Sequence, residues 1–169
     1  PMGGILKRTI WYFTNHLIFN HALLPLNGVK LMILRLFGAK VGQGVHIKPS
    51  VNIKYPWLLE IGDFVWIGEK VWIDNLTLVK IGNNVTLSQG AMLLTGNHDF
   101  TLPTFDLKVA NIELEDGVWL GARSVVCPGI TCGSHSILTV NSLANKNMEP
   151  YGIYQGNPAV KVKERSIKS

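Results

Sequence analysis

A six-residue period runs through most of this chain and limits what it can fold into. Twelve hexapeptide units begin with an aliphatic residue, or in one case with Cys132, and they start at residues 41, 47, 61, 67, 73, 81, 87, 114, 120, 126, 132 and 138. The second position is often glycine, and the fifth is small or β-branched. A repeat this regular determines the architecture before any local pattern does.

Each unit has room for one short strand and one turn, with its first side chain pointing inward. A single unit cannot bury that side chain, so stacked coils of three units must share one core. The starts at 41, 61 and 81 predict two extra residues at one corner of the first two coils, Leu59-Glu60 and Val79-Lys80. A sandwich of short strands, the alternative, would instead show two-residue alternation.

Composition and charge narrow the class of protein. The 169 residues predict one domain, and 47% hydrophobic with 16% charged residues predicts a folded, turn-rich chain. The net charge is +5, with no acidic residue before Glu60. This balance suits a membrane surface or a phosphate-bearing cofactor, whereas no nucleic-acid-binding motif is present. Cys127 and Cys132 are too few for a disulfide framework, which favours a cytoplasmic protein.

Residues 1–37 form a separate, largely apolar segment. Polar residues inside it argue against a bilayer span, namely Asn15, His16, Asn20 and His21, together with Pro25. We expect one or two helices, broken around residues 25–28, that cover the open end of the solenoid. The alternative is an interfacial membrane anchor whose basic residues face anionic lipid, namely Lys7, Arg8, Lys30 and Arg35.

Three further stretches carry a family resemblance. The runs TGNHD (95–99), GVWLGARSVVCPGIT (117–131) and YQGNPAVKV (154–162) resemble the hexapeptide-repeat acyltransferases, most closely the galactoside, maltose and exopolysaccharide O-acetyltransferases. FVWIGEKVWIDN (64–75) is most similar to the colanic-acid acetyltransferase branch. The resemblance covers roughly residues 38–163 and leaves 164–169 as a basic tail.

The resemblance implies an all-β fold, a left-handed parallel β-helix shaped as a triangular prism. Its handedness comes from the resemblance alone, because ordinary crossovers are right-handed. The resemblance also implies a homotrimer with active sites between subunits. It implies acetyl-CoA as acyl donor, a sugar or glycan precursor as acceptor, and no required metal.

The period breaks within residues 93–117, where His98 opens an insertion of about fifteen residues. Transfer of an acetyl group to a hydroxyl needs a base, and histidine is the side chain best matched to that task. The resemblance implies that His98 is this base and that the loop 99–113 reaches toward a neighbouring subunit. Asp99 either orients the imidazole or forms a turn.

The resemblance also places a set of cofactor-binding residues, namely Trp119, Gly121, Ala122, Val140, Asn145, Lys146 and Lys161. The backbone at Gly121 and Ala122 would contact the pantetheine arm, and an amide there could stabilise the oxyanion. Trp119 could instead simply pack between coils. Lys161 and Lys163 are placed to meet the nucleotide phosphates, unless the tail is merely solvated.

Polar residues near the break are candidates for acceptor binding, because hydrogen-bonding side chains suit a sugar. They are Asp74, Asn75, Asn97 and Asp99. No serine or cysteine shows a nucleophile arrangement, which favours direct transfer over an acyl-enzyme.

Two other functions share this kind of fold. The γ-class carbonic anhydrases bind zinc through three histidines, but here His46, His98 and His135 fall on distant coils. A non-catalytic scaffold would explain the repeat but not His98, its loop or the lysines after GNPA.

Overall fold

The computed structural model describes residues 3–21 and 26–167 as a β-solenoid with helices at its N-terminal end. The helices are α1 (Ile5–Thr14), a π-helical turn (Asn15–Phe19), α2 (Asn27–Leu36) and a short 3-10 helix (Pro56–Leu58). The predicted helix break at Pro25 and the tail residue Lys168 lie outside the described residues, while α2 begins at Asn27.

The solenoid strands are short. They are β1 (Lys40–Val41), β2 (His46–Ile47), β3 (Asn52–Ile53), β4 (Leu59–Ile61), β5 (Trp66–Ile67), β6 (Trp72–Asp74), β7 (Val79–Ile81), β8 (Thr86–Leu87), β9 (Met92–Leu94), β10 (Gly96–His98), β11 (Leu107–Val109), β12 (Ile112–Leu114), β13 (Trp119–Leu120), β14 (Val125–Val126), β15 (Thr131–Cys132), β16 (Ile137–Leu138), β17 (Leu143–Ala144), β18 (Gly152–Gly156) and β19 (Ala159–Glu164).

Three sheets form the walls of the solenoid. Wall A has the strand order β1-β4-β7-β12-β15, wall B has β19-β18-β16-β13-β8-β5-β2, and wall C has β17-β14-β9-β6-β3. Neighbouring strands are parallel, apart from the β18–β19 and β10–β11 hairpins. The predicted all-β parallel solenoid is therefore confirmed; its left hand stays a prediction.

The core is a set of columns of inward side chains. In wall A, Ile61 stands beside Ile81, Ile81 beside Leu114, and Leu114 beside Cys132, all buried. Cys132 thus takes an aliphatic position. Burial, and next the charge of Glu115, raise the pKa of its thiol to about 12, so the side chain stays protonated and packs as an apolar group.

The two extra residues in the early coils lie elsewhere than predicted. Leu59 and Val79 are buried and paired with each other as strand residues of β4 and β7, so neither belongs to a corner. The extra length falls in the turns before them, at residues 54–58 and 75–78. The first of these turns contains the short 3-10 helix.

Side chains of the N-terminal helices replace a missing strand at the open end of the solenoid. The Asn27 amide donates to the Val45 carbonyl and accepts from the Ile47 N–H, both at 2.8 Å. The Trp11 indole donates to the Ile53 carbonyl at 2.8 Å. An open strand edge would otherwise present unpaired backbone groups to a further chain.

Two of the four basic residues that the membrane-anchor alternative places toward lipid face the solenoid instead. Lys30 is fully buried and donates to the Lys48 carbonyl at 3.1 Å; burial lowers the pKa of its amine. Arg35 donates to the carbonyls of Val41 and Gly42. For Lys30 and Arg35 the lipid-facing prediction is wrong, because both satisfy backbone acceptors of the first coil.

The helices are also too short or too polar for a membrane span: none within residues 3–21 and 26–167 could cross a bilayer.

Candidate active site

A two-stranded arm leaves the solenoid between walls C and A. Its strands β10 and β11 pair antiparallel, with Gly96 opposite Val109 and His98 opposite Leu107. The insertion therefore begins at Gly96, and regular coil resumes with β12 at Ile112. The predicted insertion is present, but its bounds of 99–113 are wrong: His98 lies within the arm rather than at the end of a coil, and Glu113 belongs to β12.

His98 is exposed on this arm, with one ring nitrogen already engaged. Its Nδ1 lies 2.7 Å from the carbonyl oxygen of Phe105. A carbonyl can only accept, so in the neutral imidazole Nδ1 carries the proton and Nε2 carries the lone pair. His98 is thus oriented to accept a proton at Nε2. The Phe105 ring packs on the imidazole, with centroids 5.7 Å apart.

The residue that orients the imidazole is one that sequence reasoning missed. Phe105 acts through its backbone carbonyl, and its φ of +52° lies in the left-handed region. No side-chain type signals such a contact. Asn97 was predicted to bind substrate. Its Oδ1 accepts a hydrogen bond from the backbone N–H of His98 at 2.8 Å and so stabilises the arm.

Asp99 stabilises the arm rather than the imidazole. One carboxylate oxygen accepts from the N–H and hydroxyl of Thr101, at 3.1 and 2.6 Å, and the other pairs with Lys108 at 2.7 Å. The orienting role predicted for Asp99 is therefore wrong, and the turn-forming alternative describes it. Hydrogen bonds from Lys108 first, and then from Thr101, lower the pKa of the Asp99 carboxyl.

We expect the stabilising effect of Asp99 to disappear in acid. Because its folded-state pKa is depressed, the effect is fully present above the ordinary value of 3.8 and is lost as pH falls through the lowered pKa. The melting temperature of Asp99→Asn should lie below that of the wild type at neutral pH, and the two values should converge in strong acid. Asp106→Asn, in the same loop, is the control. A difference in melting temperature that persists in acid would contradict this role of Asp99.

Wall B carries the first group of predicted cofactor residues. Trp119 is half exposed, and its indole donates to the Ser88 hydroxyl at 2.9 Å. The Gly121 amide donates to the Leu138 carbonyl at 2.7 Å, so it is not available to an oxyanion. The half-buried Ala122 amide has no partner among the described residues and is the remaining candidate.

Gly121 has a packing role that its neighbours impose. A Cβ at this position would stand 2.6 Å from the Val140 backbone nitrogen and 2.7 Å from the Thr139 carbonyl carbon. Successive coils approach too closely here for any side chain. Val140 itself is exposed beside this contact.

A second group of predicted cofactor residues lines one small cleft. Asn145, Lys146 and Lys161 surround a volume of about 370 Å³ near the closing hairpin. Lys161 pairs with Glu149 at 2.6 Å and Glu164 at 2.5 Å, and these hydrogen bonds raise the pKa of its amine. Its charge is therefore compensated within the chain, while Lys146 has no ion pair among the described residues.

Part of the basic tail is held against the solenoid. Arg165 donates to the carbonyls of Gly117 and His135, at 2.9 and 3.1 Å. Nothing in the sequence distinguished Arg165 from the neighbouring lysines, because its partners lie 48 and 30 residues earlier.

A larger cleft lies between α1 and wall C and contains one predicted acceptor residue. Its volume is about 890 Å³, and both Asp74 and Tyr12 line it. Asp74 pairs with Lys54 at 2.8 Å. Trp72, which is half exposed, adds an aromatic face to the same cleft. Aromatic faces beside charged hydrogen-bonding groups can bind a polar ligand that also has an apolar face.

Asn75, the other predicted acceptor residue of this region, is not accessible. It is fully buried, and its Oδ1 accepts from the Tyr55 N–H at 3.0 Å. Its Nδ2 donates to the carbonyls of Tyr55 and Leu58, at 2.6 and 3.1 Å. The substrate-binding prediction for Asn75 is therefore wrong: the side chain fills the corner of the wide coil and satisfies its backbone.

Across residues 3–21 and 26–167, no group of three or more histidine, cysteine, aspartate or glutamate side chains is placed to hold a metal ion.

Sequence comparison finds a relative that spans nearly the whole chain, although no family model matches. The putative colanic acid biosynthesis acetyltransferase WcaF of Escherichia coli K12 is 35% identical over 163 residues, 96% of this chain and 90% of that protein. The chain belongs to the hexapeptide-repeat acetyltransferase family. Another family relative is the galactoside O-acetyltransferase of E. coli K12, 26% identical over 129 residues, 75% of this chain and 64% of that protein.

Solved structures of hexapeptide-repeat acetyltransferases share the fold. The enzyme from Vibrio cholerae superimposes with a TM-score of 0.86 at 21% identity, covering 96% of this chain and 92% of that one. A galactoside acetyltransferase in complex with coenzyme A gives 0.84 at 21% identity, covering 95% and 82%. The family resemblance read from the sequence is confirmed.

Proposed function

We propose that this hexapeptide-repeat acetyltransferase transfers the acetyl group of acetyl-CoA to a hydroxyl of a sugar or glycan precursor in the cytoplasm. The observation that carries the proposal is the exposed imidazole of His98, held through Nδ1 by the Phe105 carbonyl with Nε2 left as the base. Relatives support the donor, since the Vibrio cholerae enzyme has been solved with acetyl coenzyme A. They also support the acceptor class, since one is a colanic acid biosynthesis acetyltransferase.

In the proposed reaction, Nε2 of His98 removes the proton of the acceptor hydroxyl as its oxygen attacks the thioester carbonyl. A C–O bond forms and the C–S bond breaks, so the coenzyme A thiolate leaves and takes up a proton. The Ala122 amide is a candidate donor to the oxygen on which negative charge develops. We assign the imidazolium formed on His98 as the source of this proton.

The two cysteines are poor candidates for an acetyl-enzyme nucleophile, which agrees with direct transfer of the acetyl group to the acceptor. Burial raises the pKa of both thiols, to about 12 for Cys132. A protonated thiol is a poor nucleophile, so neither residue suits an acetyl-enzyme intermediate. This favours transfer of the acetyl group from donor to acceptor within one ternary complex.

For the acceptor, we assign the 890 Å³ cleft beside α1. Asp74 offers a carboxylate for sugar hydroxyls, and Trp72 offers an aromatic face for the apolar side of a pyranose ring. Asp74 also lies near the root of the arm, because its backbone carbonyl accepts a hydrogen bond from the Thr95 hydroxyl at 3.0 Å, one residue before the arm begins.

For the donor, we assign the part of wall B around Trp119 and Ala122, together with the small cleft of the closing hairpin. Trp119 and Ala122 would flank the pantetheine arm, and Lys146 would face the nucleotide phosphates. Asn145 shares the small cleft with Lys146. Lys161 contributes less, because Glu149 and Glu164 already neutralise its charge.

The proposed homotrimer agrees with the outward faces of the walls. Wall A carries ion pairs, Lys40 with Glu60 and Lys80 with Glu113, which suit a face in contact with water. Walls B and C also contain ion-paired residues, Lys161 and Asp74, but they present in addition the half-exposed tryptophans Trp66, Trp119 and Trp72. Exposed aromatic side chains on two of three walls are typical of a protein interface. His98 lies on an arm that leaves the solenoid at the edge of wall C, so a neighbouring subunit packed on wall C could complete its site.

The test is whether thiol release from acetyl-CoA depends on a sugar. We expect the purified protein to release coenzyme A when given a suitable glycan acceptor, and only slow background hydrolysis without one. A screen of free, nucleotide-linked and lipid-linked sugars, with deoxy analogues as controls, locates the hydroxyl. Thiol release at the same rate with and without every acceptor would contradict sugar acetylation.

A further inference from the structure

The first helix has an apolar stripe that no described part of the chain covers. Leu6, Ile10, Phe13 and Leu17 follow one another at spacings of four, three and four residues, so they share one face of α1 and the π-helical turn that continues it. Leu6 is 74% exposed, Phe13 58% and Leu17 67%. The helix meets the solenoid through a different face, where Trp11 is buried.

The charged side chains of α1 have a single sign, although they lie toward the face of the helix that meets the solenoid. Lys7 and Arg8 directly follow Leu6, and both are exposed. No acidic residue occurs anywhere before Glu60, so no carboxylate from the helices or the first coil offsets them. Lys7 lies over the Trp57 ring and Arg8 near the Tyr55 ring, which keeps both cations at this end of the solenoid.

We propose that the apolar stripe docks the protein on an anionic lipid surface. A helix with exposed leucines on one face and cations as its only charged side chains has the chemistry of an interfacial helix, which lies in the plane of the headgroups. A second copy of this chain fits less well, because it would bring an equally cationic surface against this one. The proposal goes beyond the acetyl transfer proposed above, and in a trimer threefold symmetry would place three stripes at one height along the axis.

The docking has a consequence for the acceptor. Phe13 belongs to the stripe and also lines the 890 Å³ cleft, so the cleft opens beside the surface that would meet lipid. A glycan carried on a membrane lipid could then reach Asp74 while its lipid stays in the bilayer. This consequence rests on the proposed function, whereas the docking does not.

The experiment is vesicle flotation with the full chain. We expect it to bind vesicles of phosphatidylcholine mixed with phosphatidylglycerol, to bind phosphatidylcholine alone much less, and to lose binding as salt is raised. The double variant Leu6→Gln and Leu17→Gln should weaken binding by about tenfold or more, because both side chains leave the interface. Ile167→Gln, another exposed apolar position, is the matched control and should bind as the wild type does.

Two outcomes overturn the docking: a wild type that ignores anionic vesicles, or a double variant that binds them undiminished. A double variant that changes the oligomeric state instead would assign the stripe to a second copy. Leu6 and Leu17 do not line the acceptor cleft, so thiol release with a soluble acceptor should persist in the double variant. If neither the wild type nor any variant released thiol, the proposed function would be contradicted. The docking proposal would not be affected, because flotation measures vesicle binding independently of activity.

Discussion

Replacing His98 by alanine should lower kcat by about 10²–10⁴-fold, the usual contribution of a positioned general base. The side chain is exposed, and its ring bonds only to the Phe105 carbonyl among the described residues, so the solenoid core is not disturbed. Affinity for acetyl-CoA, measured by calorimetry, should remain close to that of the wild type. The loss should therefore appear in the chemical step.

His46→Ala is the matched control for this variant. His46 is also an exposed histidine on a strand, but it lies in wall B of the first coil against Trp66, far along the chain from the arm. Its replacement should leave kcat unchanged. If His98→Ala turned over at the wild-type rate in a folded protein, the base would be another group.

Replacing Asn75 by alanine should lower the free energy of unfolding by about 2–4 kcal/mol. The change removes three hydrogen bonds and leaves the buried Tyr55 N–H and the Leu58 carbonyl without these partners, while the Tyr55 carbonyl keeps only the Leu58 N–H. Denaturant unfolding measures the loss. Because Asn75 has no accessible surface, KM for the acceptor should not change in the fraction that folds.

The comparison that separates stability from binding uses two further variants. Asn145→Ala removes an exposed asparagine and should barely change the unfolding curve. Asp74→Asn keeps the size of a side chain that lines the cleft and should raise KM for the acceptor. A stable Asn75→Ala protein with a raised acceptor KM would restore Asn75 as a substrate residue and contradict the buried role.

The solenoid could be predicted from the sequence because its core repeats. Every inward residue has a counterpart one coil away, as Ile61 has in Ile81, so the six-residue period predicts strands, turns and stacking together. The position of the break was predictable for the same reason, since the insertion is where the period fails.

The details of the site were not predictable, because they depend on contacts that have no local signal. The orientation of His98 comes from a backbone carbonyl at Phe105, which any residue type could supply. Asn75 and Asp74 are adjacent and equally polar, yet only Asp74 reaches the cleft. What separates them is the extra length of the turn before β4, whose backbone Asn75 satisfies from one coil away.

The most direct test of the proposed acetyl transfer follows the acetyl carbon itself. The wild type and His98→Ala are each incubated with carbon-13 acetyl-CoA and the acceptor found by the screen, and the product is analysed by NMR. We predict an acetyl ester on one sugar oxygen with the wild type and almost none with His98→Ala. Label on an amine or on the protein, or an equal yield of ester from both proteins, would contradict direct O-acetyl transfer with His98 as the base.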